Sequence, residues 1–532
     1  MGRHRFYAIT VLVFSLLLVA GLPAEEKKRV SAAASITLDE LKDHLYFLAS
    51  DELGGRLPGE EGYDTAVKYS ATQFRAAGLK TLYKDKNGKD TFLQSFDLVR
   101  KKTSKESAIV VAKNGEETQF KIDEDFILFM PGDSLSNAAK PLELVFLGYG
   151  IEEPKHDFND YEGLDIKGKI AVVMFGAPMK DGKPVLPKEL HQKYAPQNGM
   201  RLKYESVREH GAAGYMIVPP AQMLAAWKML VRQFGGRASI SLADTKPKDT
   251  DDQSSMAILF ANKGIVEALF EGTSYNPVTL EGTYDTFELE GVQAVLDFKA
   301  DNTPFPTANV VAFVPGSDPE LKDEYITLGA HLDHEGVRNN AVFNGADDNA
   351  SGSVAILEAA EALAMTPPRR SVILVLYSAE EMGLLGSEYF VENCPMPLDK
   401  MVAHINLDMV GRDDDDIGEA VYAIGSDKIS SEFKKLLIAT NEATVNLELD
   451  FRLDENDPER WFFRSDQLHF HNKGIPVVFL TSGEHPDYHR PTDDAEKIDF
   501  EKLQKITRLC YELTMAVGNK DQRLKIDNPG TK

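Results

Sequence analysis

Histidines and carboxylates stand where short apolar runs of this sequence end. His331 follows Ile326-Thr-Leu-Gly-Ala330, with Asp333 two residues on, in Gly329-Ala-His-Leu-Asp-His334. Asp347-Asp348 lies in Gly345-Ala-Asp-Asp-Asn-Ala-Ser-Gly352, just ahead of a helical pattern. Glu380-Glu381 follows Val372-Ile-Leu-Val-Leu-Tyr-Ser-Ala379, and Asp408 follows Ala403-His-Ile-Asn-Leu407. His489 sits in Asp487-Tyr-His-Arg-Pro-Thr-Asp-Asp494, past the run Ile475 to Leu480. In open α/β sheets, sites collect at the carboxyl ends of strands, so these groups should converge there. Desolvated carboxylates brought together repel one another unless cations offset them. Two imidazoles and three or four carboxylates without cysteine suit a pair of divalent ions of the zinc type. Two ions about 3.5–4 Å apart can activate a water, polarise a carbonyl and hold an amine, which is hydrolase chemistry.

The elements that must carry these groups are legible as patterns. From 308 onward, runs of four to eight apolar residues alternate with helices near 352–364, 384–393, 428–440 and 499–516. Near-continuous apolar strands with intervening helices imply a mixed, mostly parallel sheet covered on both faces. Upstream, Thr37 can cap a helix with Glu40 three residues later, and Tyr63 to Ala77 reads as a second helix closed by Gly78. Between about 104 and 300 the texture turns β-rich, with one helix near 199–210. The simplest partition is one α/β domain made of segments 36–103 and 300–520, with a β-rich domain, 104–299, inserted between them.

Taken together, the five motifs resemble those of peptidase family M28, which groups zinc aminopeptidases with glutamate carboxypeptidases. Ser50-Asp-Glu-Leu-Gly-Gly-Arg56 is similar to that family's N-terminal segment. Gly148-Tyr-Gly-Ile151, Leu164-Asp-Ile-Lys-Gly-Lys169 and Gly211-Ala-Ala-Gly214 resemble the protease-associated (PA) domain that such enzymes often carry. The resemblance implies a zinc-aminopeptidase-like α/β fold and two Zn2+ per chain. His331 and Asp408 would hold one ion, Glu381 and His489 the other, and Asp348 would bridge them. Asp333 would orient His331, Glu380 would be the general base for the attacking water, and Tyr488 would donate to the oxyanion. The implied activity is release of N-terminal residues from peptides. A carboxypeptidase, a dipeptidase, a glutaminyl-cyclase-like enzyme on the same fold, or a non-catalytic receptor with a PA domain are the alternatives.

Several classes are excluded or disfavoured by composition. Lysine plus arginine number 59 against 84 aspartates and glutamates, a formal charge of −25, which argues against nucleic acid or anionic lipid as the main partner. There is no Gly-x-Ser-x-Gly elbow and no Walker-type phosphate loop. Cys394 and Cys510 are too few for a disulfide scaffold, and they stand either as one bond or as two thiols. Residues 1–24 read as a secretory signal peptide: Arg3 and Arg5 precede an apolar run from Phe6 to Gly21, with Pro23-Ala24 before the cleavage point. The mature chain is then expected to be periplasmic or secreted, without a stable membrane anchor. Asp413–Asp416 lacks the spacing of a calcium loop and reads as a solvated turn.

Overall fold

A computed structural model describes residues 32–130, 140–235, 238–243, 256–278, 284–414 and 416–528. The signal-peptide reading, and Asp415 of the acidic run, lie outside the described residues. The chain forms two compact units, one from residues up to Leu98 together with Phe305–Lys532, the other from Val99–Pro304.

The sheet of the first unit runs, after Leu93–Thr103, in the order Ala300–Val314, Ser371–Tyr377, Tyr325–His331, Met401–Leu407, Val477–Thr481, Val421–Ile424 and Leu449–Asp450. Tyr325–His331 pairs in parallel with both Ser371–Tyr377 and Met401–Leu407, and Met401–Leu407 pairs in parallel with Val477–Thr481. Ala300–Val314 and Val421–Ile424 join antiparallel, so the sheet is mixed. Every residue of the three strands Tyr325–His331, Ser371–Tyr377 and Met401–Leu407 is buried, which is why their sequences are apolar without alternation.

Alternation survives in which core each residue feeds. Val310, Ala312, Ile326, Leu328, Leu374 and Leu376 pack with the helices Leu38–Leu48, Gly352–Met365 and Phe500–Gly518. Val311, Ile373, Val375 and Tyr377 face the other way, toward Phe390 and Phe470 of Leu385–Glu392 and Gln467–Asn472. The expected cap at Thr37 is present, its Oγ1 accepting from Glu40 N at 3.2 Å. Cys394 and Cys510 are both free thiols.

The second unit holds an eight-stranded sheet whose centre is parallel: Leu142–Phe146, Ile170–Met174, Gly214–Val218 and Ala257–Ala261 lie side by side. It is richer in helix than its sequence suggests. Besides Pro196–Glu209, it contains Lys188–Lys193, Trp227–Phe234 and Lys263–Phe270. Buried cores line the sheet, one centred on Phe146, Val172 and Leu259, the other on Val173, Tyr215 and Trp227.

Candidate metal centre

Register sets the site. His331 pairs opposite Tyr377, and Leu407 opposite Leu480, so these strands finish level and the loops that follow share one edge. His331 is the last residue of its strand, Asp408 comes one residue after Met401–Leu407, and Glu380-Glu381 lie three and four residues after Ser371–Tyr377. Asp348 sits in the tight turn Ala346–Ser351 that opens the helix Gly352–Met365. That turn is held from several sides. Asp493 accepts the backbone N–H of Asp347 and of Asp348, at 3.0–3.1 Å. Asn349 donates to Leu407 O at 2.9 Å and accepts from Gly352 N at 2.9 Å.

His331 Nε2 lies 3.2 Å from Asp408 Oδ1, 3.3 Å from Asp348 Oδ1 and 3.8 Å from Glu380 Oε2. His489 Nε2 lies 3.1 Å from Asp348 Oδ2 and 3.3 Å from Glu381 Oε2. Asp348 thus turns one oxygen to each imidazole. Among the described residues, His331, Glu380 and Asp408 form one group able to hold an ion, and Glu381 belongs to two more, one with His334 and Asp348, the other with Glu335 and His489.

Electrostatics of the protein groups alone are lopsided. Burial would depress the two imidazoles, but Asp408 and Glu380 hold His331 well above the ordinary histidine range, and Asp348 and Glu381 lift His489 to about 10. Burial, with Asp408, Asp466 and Glu381, pushes the Glu380 carboxyl well above its usual range against the pull of His331. Burial works the other way on Asp348 as well, yet His334, His331 and His489 hold it well below that range. His334 Nδ1 lies 2.7 Å from Glu381 Oε1, while its Nε2 is buried without a hydrogen-bond partner. Buried carboxylates facing imidazoles that they hold protonated form a site where a divalent cation can take the place of those protons, and the nitrogen–oxygen donor set without sulfur fits zinc.

The surrounding groups differ in part from expectation. Asp333 was expected to orient His331 through its carboxylate, but Oδ1 is 3.9 Å from Nδ1, and the ring faces the Asp333 carbonyl oxygen at 3.0 Å instead. The Asp333 carboxylate accepts the backbone N–H of Glu380 at 3.1 Å and of Glu381 at 3.3 Å, so it fixes the turn that presents them. Tyr488 stacks on His489 with ring centroids 3.8 Å apart, and burial beside Asp348 and Glu381 keeps its phenol protonated. Arg464 reaches its hydroxyl at 3.4 Å and pairs with Glu484 at 2.5 Å.

Sequence reasoning left other residues of the centre without a role. Ser465 donates to Asp408 Oδ2 at 2.7 Å, and Asp466 next to it is fully buried with both oxygens unpartnered, pushed up to about 7 by burial. Of the neighbouring histidines, His334 reaches the cluster, 2.7 Å from Glu381 Oε1, and its ring lies 2.5 Å from where a Cβ on Gly345 would sit. His485 instead lies 3.3 Å from Asp347, and His404 stacks on Phe470 at 3.8 Å within the core. Asp413 pairs with the buried Lys502 at 2.9 Å.

Residues 309–514 match the family model described as peptidase family M28. The leupeptin-inactivating enzyme 1 of Streptomyces exfoliatus is 34% identical over 206 residues, 38% of this chain and 41% of that protein. A probable leucine aminopeptidase of Trichophyton verrucosum is 29% identical over 225 residues, 39% of this chain and 58% of the relative. The chain thus spans about half the length of these curated relatives. The solved structure of an aminopeptidase from Aneurinibacillus sp. strain AM-1 shares the fold, with a TM-score of 0.52 at 18% identity, over 94% of this chain and 98% of that one.

Proposed function

We propose that this protein, whose residues 309–514 match the model of peptidase family M28, is an exported aminopeptidase that uses two zinc ions. His331 and Asp408 would hold one ion, Glu381 and His489 the other, with Asp348 shared between them. The observation that carries this reading is Asp348, whose Oδ1 is 3.3 Å from His331 Nε2 and whose Oδ2 is 3.1 Å from His489 Nε2. When bound, such ions lower the pKa of a water and polarise the scissile carbonyl.

The chain's own groups supply the rest. Glu380 takes the proton of the attacking water at its carboxylate and passes it to the leaving amine. The raised Glu380 pKa suits a group that must both accept and return a proton. Tyr488 donates its phenolic hydrogen to the oxyanion, with Arg464 holding the hydroxyl in place. Asp333 keeps Glu380 and Glu381 at their stations through the backbone of the turn. Export rests on the signal-peptide pattern of residues 1–24, and no helix among the described residues is long and apolar enough to cross a membrane. We read the 99–304 unit as the inserted PA domain, on the motifs at 148–151, 164–169 and 211–214.

The test is a panel of leucyl, acidic and basic aminoacyl p-nitroanilides and short peptides with free carboxyl ends, each with its amino end free or acetylated. Each is assayed before chelation, after it, and after zinc, cobalt or manganese is returned. Cleavage of free but not acetylated substrates, lost on chelation and restored by metal, is expected. Activity that survives complete metal removal would sink the metal reading. Cleavage of acetylated peptides from their carboxyl ends would make the enzyme a carboxypeptidase.

A further inference from the structure

The Gly-Gly-Arg of the N-terminal segment has no part in the chemistry above, yet its arginine ends beneath the metal centre. Gly54, Gly55 and Arg56 all adopt left-handed backbone, with φ of 53°, 70° and 50°. A Cβ on Gly55 would lie 2.6 Å from Gly336 O, so the turn tolerates no side chain there. It delivers Arg56 to full burial, where its donors meet only backbone carbonyls among the described residues. Nε donates to Leu332 O at 2.8 Å. Nη1 donates to Leu48 O at 2.5 Å and Asn344 O at 2.6 Å, and Nη2 to Gly345 O at 2.9 Å. The Arg56 carbonyl in turn accepts from His334 N at 3.3 Å.

These carbonyls are not arbitrary. Leu332 stands between His331 and Asp333, and Asn344-Gly345 opens the turn that presents Asp348. A planar fork with five donors can span three separate segments at fixed spacing, which a single ammonium cannot. The surrounding charge has the matching sign. Burial brings the guanidinium down to about 10 against the upward pull of Asp348, Asp333, Asp493 and Glu381, so it stays charged at neutral pH.

The other fully buried arginine makes the contrast. Arg370, at the opposite end of the strands, has a carboxylate partner of its own, Glu324 Oε2 at 2.7 Å, besides Val517 O at 3.2 Å and Lys520 O at 2.5 Å. Arg56 has no carboxylate in ion-pair contact among the described residues, and its compensating charges are those of the metal-binding group.

We propose that Arg56 is a positioning residue of the metal centre, holding the His331 and Asp348 segments in register and offsetting the carboxylates before metal arrives. This rests on the two-metal reading above. The test compares the full-length wild type with Arg56→Lys and, as the control for a buried arginine elsewhere, Arg370→Lys. Zinc affinity is read by competition with a fluorescent chelator, zinc content by elemental analysis, and folding by circular dichroism.

Arg56→Lys is expected to fold and to bind zinc at least tenfold more weakly, while Arg370→Lys loses thermal stability but keeps wild-type zinc affinity. Equal zinc affinity in wild type and Arg56→Lys overturns the inference alone. So does a loss of affinity that Arg370→Lys shares in proportion to its lost stability. Failure of Arg56→Lys to fold even in saturating zinc would make Arg56 a core-building residue and also overturn it. A wild-type chain that binds no zinc overturns the metal reading together with this one.

Discussion

Replacing Ser465 by alanine should lower both zinc affinity and the stability of the metal-free fold. Ser465 Oγ donates to Asp408 Oδ2 at 2.7 Å and accepts from Asn406 Nδ2 at 2.9 Å, and all three side chains are buried. A hydrogen bond to a buried carboxylate contributes roughly 1.5–3 kcal/mol. At 1.4 kcal/mol per decade, its loss corresponds to roughly a tenfold to hundredfold fall in zinc affinity, the range expected when a partner behind a metal ligand is removed. Folding loses less. Asn406 Nδ2 keeps its second acceptor, Gln467 Oε1 at 3.0 Å, so one N–H is stranded, at about 1–2 kcal/mol. Chelator competition gives the affinity and urea unfolding of the metal-free protein gives the stability. If zinc affinity stays within twofold of wild type while stability falls as calculated, Ser465 serves the core and not Asp408, and the reasoning fails.

Glu380→Gln should keep its zinc and lose kcat by roughly 10²–10⁴-fold, the range for a general base, checked by elemental analysis beside steady-state kinetics. Burial first, and then Asp408, Asp466 and Glu381, raise this carboxyl in the folded state, so ionising it costs stability at neutral pH. Metal-stripped Glu380→Gln should therefore melt no lower than metal-stripped wild type at pH 7–8, with the gap closing as pH falls below the ordinary value of 4.5; a variant that melts markedly lower there contradicts the sign. In the second unit, the buried Lys203 donates to Met174 O at 3.2 Å and to Gly176 O, and burial lowers its pKa to about 7 from 10.5. Protonation of Lys203 then favours the unfolded chain, and the stability of this unit should rise with pH from about 7 to about 10, by at most about 1.4 kcal/mol per pH unit. Lys203→Met should flatten that rise, followed through Trp227 fluorescence in urea, and an unchanged slope would rule Lys203 out as its source.

The strands that carry the candidate ligands were legible because they are buried on both faces, which writes an uninterrupted apolar run ending at a polar residue. His331, Glu380, Glu381 and Asp408 follow from that grammar, Asp348 from the turn ahead of a helix and His489 from the loop past a strand, and the structure brings them together. The residues that support them were not legible. Arg56 stands in the sequence only as the end of a segment similar to the family's, and its acceptor Leu332 lies 276 residues away. Ser465 and Asp408 are 57 residues apart, and a serine before an aspartate carries no pattern of its own. Asp333 shows the same limit at short range. The family resemblance implies that its side chain orients His331, but the carboxylate accepts the Glu380 and Glu381 backbone N–H groups instead. The helices of the 99–304 unit were missed where they are short and flanked by polar turns, as at Lys188–Lys193.

The division of the first unit into two stretches of chain has a consequence for the order of events at synthesis. Arg56 belongs to the leading stretch, and Leu332, Asn344 and Gly345 belong to the trailing one. Residues 99–304 must be made before any of these partners exists, and the imidazole of His489 comes later still. A growing chain therefore carries a buried-type cation and then a run of carboxylates, but no assembled centre. Closure across such separations is among the slow steps of folding. The candidate centre can therefore assemble only after His489 has been made, long after Arg56 has left the ribosome.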